Sequence, residues 1–376
     1  MYVALPARKA RRGRNVTRIT DLPDGLLLDI LGYIDYVADY RQSYHSLCLV
    51  NQRVNALAIP CLYNYVLFEE DAKPSFPLFL RTVIQAPALL LHAKDFEWTY
   101  KPNHVVLSDS AAFAEIIKGR ATPNDQSWLT AMQTSELEAF VATALALMPN
   151  IENIDYQPAN APVIDPAHPP AHLQLLLSAA RGVPYGMVHS FCHLSSVSLT
   201  FNPECASLVS ALFRLPSLRR LCLETCDLGP QEFDKALLNS SRVLAEWECP
   251  LKTSPITELS IFADFPCEIM DIMLKSCTSL QRLWFDGWIE LANQPMWMKT
   301  VGNSLLQHQN SLNHVSFNGT GYIWPGTPES AASHLRILGS LSKLRSYVGP
   351  LALLLSPQEA IKATSLPLSP ASSSLR

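Results

Sequence analysis

The chain has 376 residues, 48% hydrophobic and 16% charged, with a formal net charge of −4. That length and apolar content allow two or three domains with a large buried core. The slight acidic balance excludes a chain-wide phosphate-binding footprint, which needs concentrated Lys and Arg, so no nucleic-acid partner is expected. The longest apolar run, at 139–148, falls short of the roughly 18 residues that cross a bilayer, and no apolar run follows the basic N-terminus as a secretory signal requires. No membrane association is expected. Nine cysteines, an odd number without a close C-x-x-C pair, indicate reduced thiols and a cytoplasmic or nuclear setting.

Residues 1–18 read as a disordered basic tail. Arg8, Lys9, Arg11, Arg12 and Arg14 precede any acid, a pattern shared by nuclear-import signals, organellar presequences and solvated tails. At Thr20 the pattern changes. Thr20 or Asp21 is a candidate cap, Pro23 suits a first helical turn, and Asp24 is favourable at the positive end of a helix dipole. Leu26, Leu27, Ile30, Leu31 and Ile34 then recur at helical spacing. A second helix is expected over 41–50. A third, capped by Asn51, carries Val54, Leu57 and Ala58 and is expected to end at Pro60. So small a helical module buries little surface alone and needs a partner or the next domain.

The segment 69–148 is a connecting and first-repeat region. Helices are expected at 76–84 and 135–147, a first strand around Asp95-Phe96-Glu97-Trp98, and an exposed insertion at 101–110. From 149 to 355 the pattern apolar-x-x-apolar-x-apolar recurs. It occurs at Ile151/Ile154/Tyr156, Leu194/Val197/Leu199, Leu218/Leu221/Leu223, Ile256/Leu259/Ile261, Leu280/Leu283/Phe285 and Leu312/Val315/Phe317, with a weaker copy at Leu344/Tyr347. Helical stretches are expected between the copies at 206–213, 231–238, 267–275, 295–307 and 329–338. Strand alternating with helix is the signature of a repeat solenoid whose last two apolar positions face the core. The intervals of 43, 24, 38, 24, 32 and 32 residues make the array irregular. An ordinary α/β domain with parallel strands is the competing architecture. Residues 356–376, rich in Ser, Pro and Ala, read as a mobile tail.

Catalytic and phosphate-binding signatures are missing from the sequence: there is no G-x-S-x-G, G-x-x-x-x-G-K-S/T, H-E-x-x-H or G-x-G-x-x-G. Cys192-His193 and the pair Cys222 and Cys226 are the nearest approach to metal ligands, without a second pair at zinc spacing. No catalytic residue, metal or cofactor is therefore expected. If the repeats form a solenoid, the residues between its core positions line one open face. These are Ser196, Ser198, Arg220, Cys222, Glu224, Glu258, Ser260, Arg282, Trp284, Asp286, His314, Ser316 and Asn318. Of these, Arg220, Glu224, Glu258, Arg282, Trp284, Asp286 and His314 are the candidates for binding a target, Arg and Trp being favoured interface anchors.

The stretch 19–68 resembles the F-box, in the form found in fungal proteins where leucine-rich-like repeats follow. The resemblance rests on Leu22-Pro23, Leu26-Leu27, Ile30-Leu31, Tyr33-Ile34, Leu47-Cys48-Leu49-Val50-Asn51 with Arg53, and Leu57, Pro60 and Leu62-Tyr63. Gly25 and the long segment 35–40 depart from the usual pattern. The resemblance implies an α/β chain made of a three-helix F-box and an irregular leucine-rich-repeat solenoid. It further implies that Leu22, Pro23, Leu26, Leu27, Ile30, Leu31, Leu47, Leu49 and Val50 build or face a surface for the Skp adaptor. Through that adaptor the chain would join the cullin and RING subunits of a ubiquitin ligase, and its repeats would present a target protein. A helical cap on the solenoid is the alternative for the first segment. A repeat scaffold without a ligase, or a Cys/His hydrolase with a deep pocket, are the alternatives for the whole.

Overall fold

The computed structural model describes residues 19–34, 40–68, 75–99, 137–157, 169–183, 189–201, 206–225, 240–263, 265–287, 294–317 and 340–348. The basic cluster from Arg8 to Arg14, the expected insertion at 101–110, the expected helices at 231–238 and 329–338, Cys226, Asn318 and the C-terminal tail lie outside them. The chain divides into two units, Met1–Asn64 and Tyr65–Arg376.

In the first unit a short 3-10 turn, Ile19–Asp21, leads into helix α1, Asp24–Ile34. Pro23 stands just outside the helix rather than within its first turn, its carbonyl accepting the Leu27 amide at 3.1 Å. Helix α2 spans Tyr40–Cys48 and α3 spans Gln52–Asn64. Asn51 caps α3 as expected, its side-chain oxygen accepting the Val54 amide at 2.8 Å. Pro60 does not end α3; the helix continues to Asn64. An interior proline removes the donor for the carbonyl four residues earlier and crowds that carbonyl with its ring. That residue is Ala56, on the exposed side of α3 where water can serve the carbonyl. The unit's core is small: Leu27, Leu31, Tyr44, Val54 and Ala58, with the Tyr44 hydroxyl donating to the Leu31 carbonyl at 2.8 Å.

The second unit is mixed α/β and built on a nine-stranded parallel sheet in which every strand pairs with its chain neighbour. The strands are β1 Tyr65–Phe68, β2 Asp95–Trp98, β3 Asn153–Tyr156, β4 Ser196–Phe201, β5 Arg220–Thr225, β6 Glu258–Phe262, β7 Arg282–Phe285, β8 His314–Phe317 and β9 Ser346–Val348. Each expected apolar triplet supplies one strand, and Asp95–Trp98 supplies β2. Strand β1 lies within the stretch that the sequence reading gave to the helical module.

Parallel neighbours require a crossover, and each connection from β1 to β8 contains a described helix. Helices α4 Ser75–Gln85, α5 Leu137–Ala146, α6 Ala171–Ala180, α7 Ala206–Val209, α8 Ser240–Ala245, α9 Cys267–Ser276 and α10 Gln294–Leu306 occupy the connections, with 3-10 turns at Pro87–His92 and Ser210–Arg214. Gly182, at a φ of 68°, ends α6: its amide bonds the Ala179 carbonyl at 3.0 Å and the Val183 amide bonds Ser178 at 2.9 Å. Those are the two bonds of a left-handed helix stop, which favours glycine.

The register explains the apolar triplets. Val66, Phe96, Ile154, Val197, Leu221, Leu259, Leu283 and Val315 form one row across the sheet, and all are buried. Phe68, Trp98, Tyr156, Leu199, Leu223, Ile261, Phe285 and Phe317 form a second buried row. The leading residues Ile151, Leu194, Leu218, Ile256, Leu280 and Leu312 are buried in the turns before the strands. Burying each such side chain stabilises by roughly 2 kcal/mol. Ring contacts Phe68–Phe79, Tyr156–His172, Phe285–Trp297 and Trp297–Phe317 tie these rows to α4, α6 and α10. The helices therefore pack on that face, and alternation along the strands turns the intervening residues to the other.

Candidate functional site

Two surfaces carry the residues singled out from the sequence, one on each unit. On the first, Leu27 and Leu31 are four residues apart and face the core. Leu26, Ile30 and Tyr33, at steps of four and three, form a second stripe about 100° round α1, and they are exposed at 51%, 38% and 75%. Leu28 and Ile19 are exposed as well. Leu49 and Val50, at 74% and 55% exposure, occupy the turn between α2 and α3. That turn is held from below by asparagines: Asn51 caps α3, and the Asn55 amide donates to the Cys48 carbonyl at 2.8 Å. Leu22 and Leu47 are half-buried and Pro23 is exposed. Of the expected adaptor-facing residues, Leu27 and Leu31 thus build the unit, while the others reach its surface. Among the described residues, seven of the fourteen large exposed apolar side chains fall in this unit, which holds only 64 residues.

The second surface is the face of the sheet opposite the helices. One row runs Asp95, Asn153, Ser196, Arg220, Glu258, Arg282, His314 and Ser346. The next runs Glu97, Asp155, Ser198, Cys222, Ser260, Trp284, Ser316 and Val348. Most are half-buried or exposed. The register brings six of the seven target-binding candidates to this face, all but Asp286. Arg282 pairs with Glu258 at 3.4 Å and Arg220 donates to the Asn153 side-chain oxygen at 3.2 Å. Trp284 lies between Ser260 and Ser316, with its ring 4.8 Å from that of His314. Glu224 extends β5, and Asp286 follows β7 with its amide bonded to the Ile261 carbonyl at 2.8 Å.

The sequence reading did not single out Asp95, Glu97 and Asp155, although D-F-E-W and N-I-D-Y both place acids at the outward positions of their strands. Asp95 accepts from the Asn153 amide and Glu97 from the Tyr65 hydroxyl. Asp155 holds its proton to higher pH than an ordinary aspartate, chiefly because it is partly buried; Ser198 opposes this by hydrogen bonding, and the Glu97 and Glu224 charges add to it. Cys222 is pushed up to about 11, first by burial and then by Glu224 and Asp155. Among the described residues no group of three His, Cys, Asp or Glu side chains is arranged to hold a metal ion.

No family model matches this chain and no curated protein matches it significantly. Among the described residues no helix is long and apolar enough to cross a membrane.

Proposed function

We propose that this chain is the substrate-recognition subunit of a Skp-cullin-F-box ubiquitin ligase. On this reading the first unit is an F-box that binds the Skp adaptor, and the sheet unit is a degenerate leucine-rich-repeat solenoid that presents a target protein to the conjugating enzyme. Catalysis is then proximity, supplied by other subunits, in the cytosol or nucleus. The observation that carries the reading is the exposure of the apolar side chains of Leu26, Ile30, Leu49 and Val50, which are four of the residues the F-box resemblance assigns to adaptor contact. The strictly sequential parallel sheet, with a strand at each repeat, supports the second half.

The test is co-purification of the full chain with the Skp adaptor, comparing wild type with a Leu26→Lys, Val50→Lys variant. Both positions are exposed, so the fold tolerates the charges. Capture by wild type and its loss in the folded variant is the expected result. A folded wild type that captures no adaptor overturns the ligase and leaves a repeat scaffold.

A further inference from the structure

We propose that Tyr44 and Arg53 are positioning residues for adaptor docking: together they fix the rotation of α1, and so which of its apolar side chains face the adaptor. The inference rests on the ligase reading above and adds two residues that the F-box resemblance does not assign to adaptor contact. Helix α1 reads D-G-L-L-L-D-I-L-G-Y-I. Successive residues stand about 100° apart, so Leu26, Leu27, Leu28, Ile30 and Leu31 spread apolar groups round most of its circumference. The buried pair Leu27 and Leu31 is no more apolar than the exposed pair Leu26 and Ile30. Burial of apolar area alone therefore does not choose one setting of the helix over the next.

Directional bonds make that choice, because a hydrogen bond is lost when its partner turns away. Tyr44 on α2 is fully buried, and its hydroxyl donates to the Leu31 carbonyl at 2.8 Å. That carbonyl is among the last four of α1, which have no partner within the helix. At the other end Arg53, in the first turn of α3, lies 2.6 Å from Asp24 and donates to the Leu22 carbonyl at 2.6 Å. Asp24, Leu27 and Leu31 follow at steps of three and four, so the ion pair and the core side chains share one side of α1. The same first turn of α3, through Asn51 and Asn55, holds the turn that exposes Leu49 and Val50. Arg53 thus sets the start of α1 against that turn. Losing either tie lets α1 sample other rotations, and adaptor affinity falls with the fraction of molecules that present Leu26 and Ile30.

The experiment is titration of the full chain with the Skp adaptor, using wild type, Tyr44→Phe, Arg53→Ala and Val54→Ala, with urea midpoints measured in parallel. Tyr44 has no exposed surface with which to touch a partner, and Val54→Ala removes core volume without removing either tie. The expected result is binding weakened about fivefold by Tyr44→Phe and by Arg53→Ala, the factor that one net hydrogen bond contributes. Val54→Ala should lower the urea midpoint at least as far and bind like wild type. Weakening that follows the urea midpoint through all three variants makes the two residues merely structural and overturns the proposal. Weakening by only one of Tyr44→Phe and Arg53→Ala overturns it as well. If Tyr44→Phe does not fold, the salt dependence of the on-rate carries the test: Arg53→Ala leaves it unchanged for a tie and reduces it for a direct charged contact, which overturns the assignment. Equal binding by wild type and both tie variants overturns this proposal alone, whereas a wild type that binds no adaptor overturns the ligase reading and this one with it.

Discussion

His189 and His308 make the same pair of bonds at two places in the sheet unit. Each accepts a backbone amide on Nδ1 at 3.2 Å, from Phe191 and Leu280 respectively. Each therefore carries its proton on Nε2, which donates to the Leu145 carbonyl at 2.9 Å and to the Leu274 carbonyl at 3.0 Å. The rings staple the end of a helix, α5 or α9, to the turn before a later strand, β4 or β7, and only the neutral ring can make both bonds.

Acid should therefore loosen this unit. Burial lowers the pKa of both rings, and that of His172, buried against Tyr156, falls to about 3. An unfolded histidine titrates near 6.5, so below that pH the unfolded chain binds more protons. Stability is complete above about pH 6.5 and declines as pH falls toward 3. Asp155, whose pKa is raised, works in the opposite sense above about pH 4, where its ionised form disfavours the fold. Urea midpoints at pH 7 and pH 5 measure the balance. His172→Leu should reduce the decline by roughly 2 kcal/mol at pH 5, and an unchanged decline would exclude His172 as its source.

Arg53 clamps the start of α1. Its guanidinium lies 2.6 Å from Asp24 and donates to the Leu22 carbonyl at 2.6 Å. Both side chains are largely exposed, so the ion pair contributes well under 1 kcal/mol and the carbonyl bond about 1 kcal/mol. Arg53→Ala should speed amide exchange in Asp24–Ile34 about fivefold without altering exchange in the strands.

Gly25 lies inside α1, and a Cβ built there meets nothing within 4 Å. Gly25→Ala should stabilise the first unit by about 0.5–1 kcal/mol, raising its urea midpoint, because it removes backbone freedom from the unfolded chain. If adaptor capture is unchanged, glycine is not needed for docking; if capture falls with the fold intact, the adaptor approaches the backbone at Gly25.

Thiol chemistry tests the hydrolase alternative. Cys249, Cys267 and Cys277 are buried and Cys192 is exposed. Burial is the largest cause of the raised pKa at Cys249, Cys277 and Cys267, the last pushed up to about 11. A thiol held protonated is a poor nucleophile. Under native conditions iodoacetamide should modify Cys192 before these three, which stay untouched until denaturant is added, as read by peptide mass spectrometry. Rapid native labelling of Cys267 or Cys277 would reopen the hydrolase reading.

Strands β3 to β8 were legible because each, with the turn before it, carries three large apolar residues at fixed spacing. Strand β2 was expected around Asp95–Trp98 although its leading position is Ala93, too small to complete a large apolar triplet. Strand β1 follows α3 without an intervening residue, so no turn signal separates Asn64 from Tyr65. Helix α6 reads A-H-L-Q-L-L-L-S-A-A and is buried on most sides, which erases helical periodicity. The acidic residues escaped for a different reason: Asp95 meets Asn153, 58 residues away, only through strand pairing, a register that no local pattern encodes. The exposed stripe of α1 was visible as apolar residues, but which of them faced inward depended on where α2 and α3 packed.

Trp284 and Phe285 are adjacent in sequence and on opposite faces of β7, so truncating them should have unequal effects. Phe285 is buried between Trp297 and Phe317, with ring centroids 4.9 and 6.4 Å away. Phe285→Ala opens a cavity there and should cost about 3–5 kcal/mol. Trp284 is half-buried and touches His314 on the open face, so Trp284→Ala forfeits only part of a ring's burial and should cost about 1 kcal/mol. Urea unfolding of the two variants separates them. The expected order, with Trp284→Ala close to wild type, leaves Trp284 free to act as a binding anchor, and its loss should then appear in target capture instead. The reverse order would mean that Trp284 is a core residue and that the side of β7 opposite the described helices is packed.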